Sequence, residues 1–409
     1  MSLPKVAVVG IHGHGGSHLR AVAELEHRGL ARLSAVVDPR EPDDAPASWF
    51  ASLGDLLSAG ADALPDVVVL STPIHTHLPL ARAALEAGID VLLEKPTTAS
   101  LAEHAELVAV VERTGRLCQV GFQTFGSHAL PAVADMIARG EVGQVTGIGA
   151  VGTWVRTAAY WTRSPWAGRR RMGDRAVVDG VVTNPLAHAV ASALRVGGAR
   201  TSTDLAYVNT DLWRANPIEA DDTSSLRAVG TDGTRYGFGL TLCAPERTPA
   251  RVIVQGTDGE IEYEYERDLV RLRTGRVVAE KQYERTGLLE NLLRARAGDE
   301  RLLCDVRDTG AFMQVLEAVR TAPDPAPVGD AFVDWVDGVA PVAGGPGGPG
   351  GPGGPGGPGA PGGVGQGNPE GDARHPVVRD VVEWCERAAR EQRTFTELGA
   401  PWTLPTSSR

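Results

Sequence analysis

Three short stretches hold residue types whose combination could do chemistry. The first is Glu94-Lys95-Pro96, an acid, a base and a proline closing the apolar run Val91-Leu92-Leu93. Such strand residues do not bury a lysine well, so Lys95 belongs at the strand's carboxyl end, the edge where open α/β sheets take their ligands. A fixed cation there can stabilise charge developing on a substrate oxygen. Pro96 makes Lys95–Pro96 one of the few peptide bonds with a modest cis cost, and a cis bond would turn Lys95 into a cleft. Read alone, Glu-Lys-Pro is equally a strand end with a solvated charge pair. The second stretch is Gly10-Ile11-His12-Gly13-His14-Gly15-Gly16, between the apolar run Lys5–Val9 and a helical pattern through Ala21, Val22 and Leu25. A glycine turn between strand and helix lets backbone N–H groups and the helix's positive end approach a pyrophosphate. Gly10 and Gly15 fit the outer glycines of that fingerprint, while His12 stands at the middle one with Gly13 beside it. A plain glycine-rich loop would read the same way.

The third stretch is Asn184 and His188, four apart in a helical pattern from Pro185, hence on one face. Neutral imidazole accepts protons near neutral pH. Asparagine can hydrogen-bond a hydroxyl but can neither act as a base nor charge the site beside the histidine. A lone histidine on an apolar helix is otherwise more often a core or capping residue. Asp38 ends the next strand pattern, Leu33–Val37, 28 residues after Gly10. A carboxylate there accepts both ribose hydroxyls of an adenosine and favours NAD; Arg40 leaves NADP open, since a guanidinium can meet a 2′-phosphate. Asp38-Pro39 is also an ordinary turn.

The elements that must position these residues alternate in type. Asp66–Leu70 and Ile89–Leu93 read as buried strands, as does Leu117–Val120; helical patterns run through Leu80–Leu85, closed by Gly88, and from near Ser100 through Leu101–Val111. Strands alternating with helices of this length predict a parallel, doubly wound α/β sheet. Later, Ser224–Val229, Thr234–Cys243, Arg251–Gln255 and Glu260–Glu266, punctuated by Thr-Asp-Gly turns, predict an antiparallel sheet. The acids at Glu219–Asp222 read as strand-edge solvation.

Taken together, the glycine turn with His18-Leu19, the Ser71-Thr72-Pro73 run with His77, and Glu94-Lys95-Pro96 resemble the Gfo/Idh/MocA family of glucose–fructose oxidoreductases and inositol dehydrogenases. The resemblance continues through Ile137–Val145 and Pro165–Gly168. It implies a Rossmann domain at 1–122 and an α+β domain with a large, open, mostly antiparallel sheet at 123–335, the sheet commonly making oligomer contacts. It implies hydride transfer between NAD or NADP and a hydroxyl-bearing carbon of a sugar, inositol or related polyol. By matching position Lys95 is the active-site lysine, Glu94 lies beside the nicotinamide, and Ser71, Thr72, Pro73 and His77 line the cofactor cleft with Gly10, His12, Gly13, His14, Gly15, Asp38 and Arg40. The helix with His188 departs from the family, which places an aspartate where Asn184 stands.

Charge then suggests a mechanism. His188 takes the proton from the substrate hydroxyl while Lys95 stabilises its alkoxide character, and the roles reverse in reduction. Gln123 follows the sixth strand and can reach nicotinamide or substrate. Trp154, Arg156, Tyr160, Trp161, Arg163 and Trp166 form an aromatic–basic loop suited to a sugar face or to a subunit interface; Arg169-Arg170-Arg171 reads as solvated loop or as a contact for a carboxylate or phosphate. Two other readings remain: a non-redox relative that retains NAD for hydrolysis or elimination by transient oxidation, and a catalytically inactive dinucleotide sensor or scaffold, favoured by His12 and Asn184.

Bulk properties bound these readings. A chain of 409 residues has room for two cores. A net charge of −11 argues against nucleic acid or an anionic membrane as partner. No stretch approaches membrane-spanning length, and the start lacks a signal-peptide pattern. Four cysteines far apart suggest neither a disulfide framework nor a zinc site, and spacing reveals no metal ligands, so a reducing cytoplasm is the expectation, while the family resemblance implies a homo-oligomer, dimer or tetramer. Gly-Gly-Pro repeats make 336–374 a flexible linker or insertion; 375–409 reads as a closing helix, with Val377, Val378, Val381, Val382, Trp384 and Cys385 on its apolar side, and a tail that packs back.

Overall fold

The computed structural model describes residues 3–338 and 373–404. Most of the glycine/proline-rich segment expected at 336–374 lies outside the described residues. Backbone packing divides the chain into two units, residues up to 126 with 286–313, and residues 127–285 with those from 314 onward.

The first unit alternates as its apolar runs demand: β1 (Lys5–Val9), α1 (Gly15–His27), β2 (Arg32–Val37), β3 (Ser48–Phe50), α2 (Leu53–Ser58), β4 (Val67–Leu70), α3 (His77–Glu86), β5 (Asp90–Leu93), α4 (Leu101–Thr114) and β6 (Cys118–Val120). The strands make one parallel sheet in the order β3-β2-β1-β4-β5-β6. Val67, Val68, Val69 and Leu70 are wholly buried, as a strand covered on both faces requires. With β2 on one side of β1 and β4 on the other, the winding reverses at β1, and the crevice at the carboxyl ends of β1 and β4 is where such sheets bind ligands. Helix α4 opens on Ser100, whose hydroxyl accepts a hydrogen bond from the Glu103 amide at 3.2 Å, an N-cap.

The second unit begins with α5 (Ala129–Ala138) and β7 (Val145–Thr153), then β8 (Arg171–Met172), β9 (Arg175–Ala176) and α6 (Ala187–Val196). Strands β10 (Leu205–Arg214), β11 (Thr223–Gly230), β12 (Arg235–Thr241), β13 (Arg251–Gly256), β14 (Gly259–Glu264), β15 (Leu269–Thr274) and β16 (Val277–Gln282) follow. After α7 (Leu288–Ala297) and α8 (Gly310–Thr321) come β17 (Ala326–Pro327), β18 (Val333–Val336), β19 (His375–Val378), α9 (Val381–Glu391) and α10 (Phe395–Leu398). A nine-stranded sheet runs β16-β15-β14-β13-β7-β12-β11-β10-β17, antiparallel except at β7–β12 and β10–β17. Helix α9 lies so close to this sheet that a Cβ at Gly239 would fall 2.1 Å from the Cys385 carbonyl, and one at Gly149 would fall 2.6 Å from that of Ala389. The glycines of β7 and β12 are therefore the seat of α9, and Phe395 and Trp402 of the tail join the same core.

Three details differ from expectation. Residues 286–313 pack on the first unit, where Leu288, Leu289, Leu292 and Leu293 of α7 share a core with Val6, Val8 and Val22. Arg296 pins that helix by pairing with Asp66 at 2.7 Å and Asp90 at 2.5 Å. Val377 and Val378 belong to β19, paired with β18, rather than to the closing helix. Asp221 and Asp222 are buried, not solvating: Asp222 accepts from the Ala215 and Asn216 amides, Asp221 from the Ser224 hydroxyl, and burial pushes the Asp221 carboxyl up to about 6 against those hydrogen bonds.

Candidate active site

At the first unit's sheet edge, backbone meets backbone. Gly10 has φ +79°, and a Cβ there would meet the Ser71 carbonyl oxygen at 2.3 Å; one at Gly15 would fall 1.9 Å from the Gly10 carbonyl. These positions hold the turn after β1 against the end of β4, and only glycine fits both. Gly13, at φ +57°, has open space where a side chain would project. The carboxylate of Asp38 accepts from the Ile11 amide at 3.3 Å and the Arg40 amide at 3.1 Å, which fixes it at the end of β2. His12 leans on the same corner, its Nε2 3.6 Å from Asp38 Oδ1 and 3.4 Å from Arg40 Nε.

The ends of β4 and β5 are joined by His77, which is wholly buried. Its Nε2 lies 2.9 Å from the Thr72 carbonyl and its Nδ1 3.0 Å from the Pro96 carbonyl. A neutral ring donates to only one of them; burial, the largest influence, lowers the His77 pKa despite the carbonyls that favour its charged form. His77 thus acts as a strut between the Ser71-Thr72-Pro73 loop and the Glu94-Lys95-Pro96 loop rather than as a cleft wall. The Thr72 and Thr76 hydroxyls are 2.7 Å apart, tightening the same loop, and the Lys95–Pro96 bond is cis.

Glu94, just after β5, is buried and held by two imidazoles. Its Oε1 lies 2.8 Å from His18 Nε2 and 3.2 Å from His14 Nε2, while its Oε2 accepts from the Lys95 amide at 3.0 Å. Burial is the largest single influence and would raise the Glu94 pKa, but the hydrogen bonds and charge of His14 and His18 together outweigh it and hold the carboxyl well below its usual range. His14 is raised in turn, chiefly by its hydrogen bond to Glu94. Spacing along the chain shows no metal ligands, yet folding brings donor atoms of His14, His18 and Glu94 within 4.8 Å of one another. Gln123 opens a short turn after β6, half-buried, its amide bonded to the Gly121 carbonyl at 2.9 Å.

A dinucleotide fits this edge. The open side of Gly13, the start of α1 and the Gly10–Gly15 packing make a backbone-lined cradle for a pyrophosphate, and Asp38 stands where a ribose would meet it.

In the second unit His188 is buried near the start of α6, its ring 6.3 Å from that of Tyr265. Asn184 donates to Asp179 Oδ1 at 2.5 Å. Asp179 is the residue that sequence reasoning missed. Buried, its Oδ2 takes Arg163 at 2.9 Å and the Gly168 amide at 2.8 Å, so it ties the aromatic–basic loop to the segment before α6. Its signal was an acid inside the apolar run Val177–Val182. The loop folds into a ladder: the Arg156 guanidinium sits 5.1 Å from the Trp154 ring and 5.0 Å from Tyr160, and Arg163 sits 3.7 Å from Tyr160 and 4.7 Å from Trp166. Trp161 is buried against it, edge to face with Tyr160. Arg170 donates to the Val319, Arg320 and Ala322 carbonyls at the end of α8, a cap rather than solvated loop. A cavity of about 1450 Å³ opens among Trp161, Arg169, Arg171, Arg214 and Arg374 of this unit.

Residues 4–122 match the model of an oxidoreductase family with an NAD-binding Rossmann fold, GFO_IDH_MocA. The uncharacterized oxidoreductase YdgJ of Escherichia coli is 31% identical over 141 residues, 34% of this chain and 40% of that protein. The inositol 2-dehydrogenase of Rhodococcus jostii is 35% identical over 147 residues, 34% of this chain and 39% of its own. The chain thus spans about two fifths of the length of these relatives. In fold the likeness reaches further: the WlbA dehydrogenase of Bordetella pertussis, solved with NADH and UDP-GlcNAcA, superposes with a TM-score of 0.64 at 21% identity, covering 78% of this chain and 95% of that one. An oxidoreductase of Thermotoga maritima gives 0.65 at 18%, covering 78% and 96%. Among the described residues no helix is long and apolar enough to cross a membrane.

Proposed function

From a chain whose residues 4–122 match the Gfo/Idh/MocA oxidoreductase family, we propose an NAD-dependent dehydrogenase or reductase acting on a hydroxyl-bearing carbon of a sugar, inositol or related polyol. The reading is carried by one observation: the glycine turn, Asp38, the Ser71-Thr72 loop and Glu94-Lys95 all lie at the carboxyl ends of adjacent strands, with His18 and His77 fixing the last of them. Nicotinamide, when bound, supplies the hydride acceptor or donor. Gly10, Gly13 and Gly15 admit its pyrophosphate, and Asp38, held by two backbone amides, takes the ribose and repels a 2′-phosphate, which favours NAD over NADP. Lys95 stabilises negative charge growing on the substrate oxygen. His188 accepts the hydroxyl proton, and Asn184, oriented by Asp179, hydrogen-bonds a neighbouring hydroxyl.

The test is a panel of inositols, aldoses and sugar acids with NAD and with NADP, read by the absorbance of reduced nicotinamide. Reduced cofactor formed in step with product, faster with NAD, supports the reading. Product without net reduction would mean NAD retained for a non-redox reaction, and binding without turnover would mean a sensor.

The open sheet supports self-association: β16 is exposed along its length, with Val277 63% and Val278 62% exposed. A dimer or tetramer by light scattering is the expected result, and a mass of 43.0 kDa contradicts it. The four cysteines are all buried and lie far apart in sequence, in accord with a reducing, cytoplasmic setting.

A further inference from the structure

The aromatic–basic ladder of the second unit has more positive charge than partners for it. Arg247 extends the ladder, its guanidinium 4.7 Å from the Trp154 ring. Two of the three arginines have their own acid: Arg163 pairs with Asp179 at 2.9 Å and Arg247 with Glu266 at 2.5 Å. Arg156, between them, pairs with no carboxylate among the described residues. It donates to the Val155 carbonyl at 3.0 Å and lies between the Trp154 and Tyr160 rings. A guanidinium stays charged, and taking it from water without a counter-charge is costly; cation–π contacts offset only part of that. Burial lowers the Arg156 pKa, and Arg247 and Arg163 push the same way against Tyr160.

Other groups here also lack an acceptor. The Trp154 indole N–H and the Tyr265 hydroxyl are buried and find no hydrogen-bond partner among the described residues. Tyr265 feels the charge of both Arg156 and Arg247, and its ring is 6.3 Å from His188. Donors therefore outnumber acceptors in one patch of a single unit, beside the histidine assigned to proton transfer. An oxyanion would answer that excess: it brings charge and several lone pairs, and a guanidinium fork matches carboxylate and phosphate alike.

We propose that the substrate carries a carboxylate or phosphate on its sugar or polyol skeleton and that Arg156 binds that anionic group. The skeleton rests on the oxidoreductase reading; the anion site rests on Arg156 and its neighbours alone. Arg156 is half-buried, so a ligand can reach its outer edge, while Trp154 and Tyr160 keep the guanidinium plane in place.

Calorimetric binding to the full chain tests this without requiring turnover. The ligands are D-glucuronate, its neutral amide D-glucuronamide, and D-glucose 6-phosphate. On the unaltered protein, glucuronate or the sugar phosphate should bind roughly 10–100-fold tighter than the amide, the range expected for a charge-assisted hydrogen bond. Whichever of the two wins identifies the anion. Arg156→Gln should remove that advantage, bringing anion and amide to comparable affinity, while Arg156→Lys, a charge without the fork, should retain part of it. Equal affinities for anion and amide, no binding by any of the three, or an anion preference that survives Arg156→Gln would each overturn the proposal. The amide comparison needs no variant, so a misfolded Arg156→Gln protein does not rescue it. An Arg156-dependent preference without any nicotinamide reduction would keep this inference and sink the oxidoreductase reading; reduction driven by neutral polyols alone would do the reverse.

Discussion

His18 Nε2 lies 2.8 Å from Glu94 Oε1, so the first helix grips the residue that precedes Lys95. His14 reaches the same oxygen at 3.2 Å from the glycine turn, which makes Glu94 the joint between that turn and the lysine loop.

Removing that joint's charge should release His14. In Glu94→Gln the His14 ring should titrate nearer its ordinary value of 6.5, followed by NMR of the imidazole protons. Stability follows with a definite sign. His14 is raised when folded, so its contribution is complete below about 6.5 and fades as pH climbs through the raised value. Glu94 is lowered, so its contribution holds above about 4.5 and fades as pH falls through the lowered value. The unfolding free-energy gap between parent and Glu94→Gln, about 1–3 kcal/mol, should be widest between those limits and narrow on either side in urea titrations.

His77 spans the Thr72 and Pro96 carbonyls, so its loss unties two loops at once. His77→Ala should cost about 2–3 kcal/mol, from a lost buried hydrogen bond and the cavity left behind. It should also weaken NADH binding measured by fluorescence. A variant that melts like the parent would show that the two loops hold themselves.

Asp179 answers Arg163 and Asn184 together, and its carboxylate is almost wholly buried. Asp179→Ala strands a largely buried guanidinium, and breaking such a pair costs about 3–5 kcal/mol. Asp179→Asn, which can still accept a hydrogen bond, should cost less. Urea unfolding of both variants checks the order.

How far the sequence reached depends on the kind of interaction. The parallel sheet was legible because runs such as Val67–Leu70 are apolar throughout, the mark of a strand buried on both faces. The turn after β1 and the acid at the end of β2 were legible because Gly10, Gly15 and Asp38 are fixed by local turn geometry and strand ends. Asp179 was hidden because its meaning depends on Arg163, 16 residues away, and on a backbone amide at Gly168. The membership of α7 was hidden as well: its leucines fit any core, and partners more than 200 positions earlier, Asp66 and Asp90 for Arg296 and Arg28 for Glu290, place it in the first unit. Val377 and Val378 misled because two apolar residues fit the start of a helix and the end of a strand equally, and pairing with β18 decides between them.

The most direct test is Lys95→Ala, assayed for NADH formation with the best substrate of the panel and, separately, for NADH binding. Loss of a cation that stabilises the reacting oxygen should lower turnover by at least about 100-fold, with NADH affinity kept within a few-fold of the parent. Turnover equal to the parent's would contradict the account.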